Sequence, residues 1–145
     1  MLKSKAKRKK KSIGKLKQEA AKLLQKLRRM ESADEDGIAE CVTCNVKSFW
    51  QELQGGHFIE RGKSLTLLDE TNINCQCPGC NCFLMKKASG VLRYRRFMVD
   101  YYGEEHVVDL EQSSYHTKKW DRVELEDLTQ EYKERIKEQE IRLGV

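Results

Sequence analysis

The sequence predicts an α+β fold, a small mixed core held between an N-terminal and a C-terminal helix. Three observations carry that expectation. Apolar residues recur at alternating spacings of three and four near both ends of the chain, which is the period of one helix face. Short β-prone runs broken by glycine fill the middle. Two C-x2-C pairs, Cys41/Cys44 and Cys77/Cys80, bracket that middle segment.

Composition points the same way. A chain of 145 residues, 35% charged and 8% aromatic, has material for one domain with a small core. Cores of that size often need a staple such as a metal. The net charge of +5 is unevenly spread. Residues 1–30 carry 13 Lys and Arg against Glu19 alone, and the rest carries 15 basic against 22 acidic residues. A basic arm on an acidic body suits a polyanionic partner, most simply nucleic acid. The expected organisation is a basic disordered tail over 1–11, an amphipathic basic helix over 12–32, a metal-stapled core over 33–103 and a helical region over 104–145.

In chain order, Ile13, Leu16, Ala20, Leu23, Leu27 and Met30 define the first helix, either packed on the core or paired between two subunits. The acidic stretch 31–40 reads as a loop around Gly37. His57-Phe58-Ile59 and Leu65–Leu68 read as two short strands, followed by a helix from about Cys80 to Ala88. A further helix spans Val91–Tyr102, stopped by Gly103, and residues 104–113 are also expected to be helical. Asp121 with Glu124 forms a capping box for the last helix, whose inner face is Leu125, Leu128, Tyr132, Ile136 and Leu143. Phe49, Trp50, Tyr101 and Tyr102 are expected in the core, and His106 and His116 on the surface.

Clustered cysteines behind a lysine-rich start, with no apolar segment of signal-peptide or membrane-span length following it, indicate metal ligation in a cytoplasmic chain with no membrane partner. Cys41, Cys44, Cys77 and Cys80 form the four-thiolate set of a structural zinc, closed to chemistry. The alternative cluster Cys75, Cys77, Cys80 and Cys82 would leave the first pair idle, so Cys75 and Cys82 are read as reduced thiols.

Between and beside the pairs lie LQGGHFIER at 53–61 and NINCQCPGCN at 72–81, with CVTC at 41–44, YYG at 101–103 and DRVELEDLTQEY at 121–132. Over roughly residues 20–135 this pattern resembles the phage lambda NinG/Rap recombination family. Its His…Asn…CxxC-Asn order resembles the HNH, or ββα-metal, nuclease motif. The resemblance implies an endonuclease that cuts branched DNA, such as Holliday junctions and D-loops, inside the host bacterial cell. Branched DNA would then be the substrate, with phage or host recombination proteins and a homodimer as possible partners. His57 matches the general base, Asn74 the asparagine that pins the loop carrying it, and Asn81 a ligand of a catalytic Mg²⁺ or Mn²⁺.

These residue types fit phosphodiester hydrolysis. A neutral histidine takes a proton from water near pH 7. A divalent ion on oxygen ligands neutralises phosphate charge and supports the leaving oxygen. Gly56 stands where many HNH nucleases place a further metal ligand, so a second ligand is sought elsewhere, in Asp69 or Glu60. Lys7, Arg8, Lys9, Lys10, Arg28, Arg29, Arg93, Arg95 and Arg96 are the candidate DNA contacts, reading backbone and shape more than sequence. A zinc-dependent DNA-binding or adaptor protein without catalysis is the alternative.

Overall fold

The computed structural model describes residues 9–145, so Lys7, Arg8 and most of the tail expected over 1–11 lie outside it. Helix α1 (Ile13–Ser32) begins at Ser12, whose hydroxyl accepts from the Lys15 amide. Of the predicted stripe Leu16, Ala20, Leu27 and Met30 are buried, Ile13 and Leu23 are partly buried, and Ala21 and Leu24 join the buried face. The last helix, α5 (Arg122–Leu143), starts in the predicted capping box between Asp121 and Glu124. Its Leu125, Tyr132 and Ile136 pack into the same cluster as the α1 stripe. The α1 stripe is therefore consumed within the chain and lends no support to a helix pair between subunits.

The two long helices run in the same direction. Arg122 donates to the Lys11 carbonyl at one end, and Arg142 donates to the Met30 and Ala33 carbonyls at the other. Those last contacts satisfy carbonyls that the end of α1 leaves open. Arg135 joins Glu31 of α1 at 2.7 Å and also pairs with Glu70. Parallel neighbours need a long connection, and here that connection is the rest of the domain.

The connection forms two small antiparallel sheets. Strands β1 (Ile38–Glu40) and β2 (Lys47–Phe49) make one, and β3 (Gln54–His57) and β4 (Ile73–Gln76) make the other. Short helix α2 (Pro78–Cys82) follows β4, with Cys77 as its N-cap and Pro78 at its first position. Helices α3 (Ala88–Tyr102) and α4 (Glu104–Ser113) meet at Gly103, whose φ of 91° lies in the left-handed region. The β3–β4 ribbon is the middle layer. Ile73 and Cys75 face α1 and α5, while Phe58 packs with Tyr94, Met98, Val107 and Leu110 of α3 and α4.

Several expectations need correction. Residues 65–68 form a turn, and the second strand is Ile73–Gln76. All four of its residues are buried because both ribbon faces are covered, so it shows no apolar alternation. The first strand of the ribbon lies earlier than expected, over Gln54–His57, and includes Gly55-Gly56. Part of the acidic loop is strand β1, and α2 ends at Cys82 before a separate turn at Leu84–Lys86. Phe49 and Tyr101 are exposed, at 55% and 70%, while Trp50 is buried. His106 is half-buried, with Nε2 2.8 Å from the Thr71 hydroxyl. No helix among the described residues is long and apolar enough to cross a membrane.

Candidate functional site

The sulfurs of Cys41, Cys44, Cys77 and Cys80 all lie within 4.8 Å of one another. A metal bound tetrahedrally at ~2.3 Å from each sulfur would put sulfurs ~3.8 Å apart, and Cys44 Sγ lies 3.7 Å from Cys77 Sγ. The cluster can thus hold a structural metal such as zinc. Its first half is the turn between β1 and β2, closed by Asn45 at a φ of 66°. Its second half is the start of α2, where the Cys80 amide points at Cys77 Sγ at 3.4 Å. The Val42 amide donates to the Cys75 carbonyl and docks the turn on β4. Cys75 and Cys82 stand apart from the cluster. Cys75 is buried and burial pushes its thiol pKa up, while Cys82 is exposed beside Gln54.

His57 ends β3, pairs in register with Ile73, and is 8% exposed. Its Nε2 lies 3.0 Å from the Leu67 carbonyl. A carbonyl can only accept, so Nε2 carries the proton and Nδ1 keeps its lone pair. Burial, against the opposing pull of that carbonyl and with the Arg61 charge nearby, lowers the pKa to about 4. The ring is therefore neutral at pH 7 in one fixed tautomer, the state a proton acceptor requires.

Asn72 makes most of the bonds that pin the loop carrying His57, and Asn74 adds one, from its Nδ2 to the Thr71 carbonyl at 2.9 Å. Asn72 is fully buried. Its Oδ1 accepts from the Ile59 amide at 2.7 Å, and its Nδ2 donates to the Ile59 and Thr66 carbonyls at 3.1 and 3.0 Å. It thereby ties together both ends of the segment between the strands. Asn74 also holds α3. Its amide and Nδ2 donate to the Tyr94 hydroxyl, Tyr94 donates to the Gly56 carbonyl, and Tyr102 donates to Asn74 Oδ1. Both residues occur in the same Asn-Ile-Asn run, and their partners, 13 and 20 residues away, decide which bonds each makes. Asn72→Ala should cost about 3 kcal/mol of stability, because three partners lose their bonds inside the protein. Urea denaturation would measure it.

Asn81 sits on α2 against the other face of the ribbon from His57. A Cβ on Gly56 would lie 1.8 Å from Gln76 Oε1 and 3.0 Å from Asn81 Oδ1. Both oxygens thus flank one point over Gly56. Their amide nitrogens are engaged elsewhere, Asn81 with Gln54 Oε1 at 2.8 Å and Gln76 with Thr43 Oγ1 at 2.7 Å. Gln76 Oε1 is buried without a partner among the described residues. Gln76 therefore fills the space that a side chain at position 56 would need, which explains the glycine there. Gly56→Ala should destabilise the protein by about 1–3 kcal/mol, read as a lowered thermal midpoint. Asp69, a second-ligand candidate, is occupied as the cap of the 70–72 turn, accepting from the Thr71 amide and hydroxyl. His57 and Asn81 share no hydrogen-bond partner, and the ribbon lies between them.

The candidate DNA contacts divide. Arg28 is spent on the Ile73 carbonyl, Glu31 and Tyr102. Arg29 donates to the Leu53 carbonyl and stacks over Trp50, and Arg95 pairs with Glu111. Arg93 and Arg96 line a groove with the 42–45 turn, Phe97 and Tyr101. Lys9 and Lys10 are exposed. Two basic residues of interest escaped the sequence reading. Lys22 and Arg61 flank a cleft between α1 and the loop after β3. Only the packing of α1 on β3 brings them together, so spacing alone carries no signal.

A family model described as Bacteriophage Lambda NinG protein matches residues 2–141. No curated protein and no solved structure matches the chain.

Proposed function

Because the chain belongs to the bacteriophage lambda NinG family, which implies a role connected with phage recombination, we propose that it is a metal-dependent endonuclease for branched DNA intermediates. The observation that carries the reading is His57, held neutral in one tautomer with Nδ1 left as an acceptor. In this reading Nδ1 takes the proton of the water that attacks phosphorus, and Asn72 keeps the strand end and its loop in place. Tyr94, bonded to both Gly56 and Asn74, keeps the ribbon from shifting on α3.

A divalent ion fits the residues present. Asn81 Oδ1 and Gln76 Oε1, the latter buried without a partner among the described residues, are hard oxygen donors close together beside Gly56. They would hold Mg²⁺ or Mn²⁺, which supplies charge neutralisation at the phosphate and at the leaving oxygen. In this reading the four cysteines hold zinc, which fixes α2 and with it Asn81. The fold agrees in order with a ββα-metal unit, since β3, β4 and α2 follow one another.

The test is cleavage of a synthetic four-way junction with Mg²⁺ or Mn²⁺, giving 5′-phosphate and 3′-hydroxyl ends. Binding with no cleavage under any divalent ion would favour the alternative, a zinc-dependent binding or adaptor protein. The separation of His57 from Asn81 by the ribbon is the observation on that side.

A further inference from the structure

The α1 face that turns away from α5 carries its own stripe. Lys15, Gln18, Lys22 and Gln25 follow one another at spacings of three and four. They form one wall of a cleft of about 850 Å³, and Arg61, Gly62 and Leu67 contribute to the other. Lys15, Lys22 and Arg61 are exposed and have no ion-pair partner among the described residues. Glu19, the acid on the cleft wall, is bonded to Lys11.

The stripe leads to the histidine. At its end Gln25 donates to the Gly55 carbonyl at 2.8 Å, and Gly55 lies so close to Gln25 that a Cβ would sit 2.8 Å from its Cα. Gly55 and His57 share one ribbon face, being two residues apart on β3. Leu67, whose carbonyl holds His57, also lines the cleft. From Lys15 to Lys22 is about 10 Å along the helix, far enough for the two cations to meet different phosphates of one strand.

We propose that this cleft seats the phosphate backbone of one DNA strand, with Lys15, Lys22 and Arg61 neutralising phosphates along a path that ends at His57. The Arg93/Arg96 groove is then not the main DNA-binding surface. The choice of DNA rests on the nuclease reading, while the path rests on the cleft. Arg61 lines the cleft together with Leu67, whose carbonyl meets His57 Nε2.

The experiment is fluorescence anisotropy of a labelled four-way junction over a salt titration, without divalent ions, so that no cutting is needed. The triple variant Lys15→Gln, Lys22→Gln, Arg61→Gln should lower the log–log salt slope by about 2.7, at ~0.9 per duplex phosphate contact. Near 0.1 M salt its affinity should fall by roughly 500-fold on the same relation. The arginine-for-lysine double variant Lys15→Arg, Lys22→Arg should keep the full slope, which separates lost charge from lost fold. A triple variant with unchanged slope overturns the proposal, as does a parent protein that binds no DNA. So does transfer of the whole loss to Arg93→Gln, Arg96→Gln. A parent that binds through the cleft but never cuts sinks the nuclease reading and leaves this one standing.

Discussion

His57→Ala should slow junction cutting by roughly two to four decades, the usual contribution of a positioned general base, while leaving junction affinity within a few-fold of the parent. The reasoning is local. Leu67 fixes the tautomer, burial fixes the charge state, and the remaining lone pair on Nδ1 has no other partner among the described residues. His57→Gln is the companion variant. Its amide can still donate to the Leu67 carbonyl, so the loop stays anchored while the base is lost. If His57→Gln cuts at the parental rate, His57 is structural and the proposed mechanism is wrong.

The same histidine links stability to pH. Its folded pKa of about 4 lies below the ordinary 6.5, so the unfolded chain takes up the proton first. The stability tied to this group is fully present above pH 6.5 and is lost as pH falls from 6.5 towards 4. The full effect is about 3 kcal/mol. Urea denaturation at pH 7 and pH 4.5 should show a larger acid loss for the parent than for His57→Gln, the shared carboxylate contribution cancelling between them. For the same reason, the acid limb of the cleavage profile should fall well below pH 6.5.

Stripping the metal from the four-cysteine cluster should unfold the core. Structural zinc in small modules contributes on the order of 10 kcal/mol, which matches or exceeds the whole stability of many domains of this size. Here the cluster joins the β1–β2 turn to the start of α2. Without it, four cysteine side chains and two tight turns lose their common anchor. Metal analysis should return about one zinc per chain, and a strong chelator should abolish the cooperative thermal transition and, with it, cutting. Cys77→Ser should do the same, since it removes a thiolate ligand while its hydroxyl can still cap α2. Cys82→Ser should leave metal content and melting unchanged because its sulfur lies outside the cluster. A Cys77→Ser protein that retains its zinc and melts like the parent would show that the cluster is not a metal site.

The elements that the sequence determined by itself are those governed by local rules. The α1 stripe and the α5 capping box depend on residues within a few positions of each other, and both appear as expected. The paired C-x2-C spacings likewise identify all four members of the cluster, because each pair is a local turn and the residues themselves supply the ligand chemistry. Gly103 stops α3 where expected, since a positive φ is a property of one residue.

Tertiary structure alone decided the rest, where the deciding partner is distant along the chain. Strand β4 is buried on one face by α1 and α5 and on the other by α3, so its Asn and Gln residues obscure the apolar signal of a strand. How Asn72 and Asn74 divide their bonds between the loop and α3 depends on partners 13 and 20 residues away. Gly56 looked like a missing ligand, and only packing shows Gln76 occupying that space from the neighbouring strand. Arg28, Arg29 and Arg95 read as free charges in sequence, yet carbonyls and acids up to 45 residues away hold them. The nearest neighbours of a side chain are fixed by local geometry only along its own helix or strand; across elements they are fixed by which surfaces bury the most apolar area together. Here those surfaces are α1, α5 and the inner face of β4, and their packing also sets α1 beside β3 to form the basic cleft.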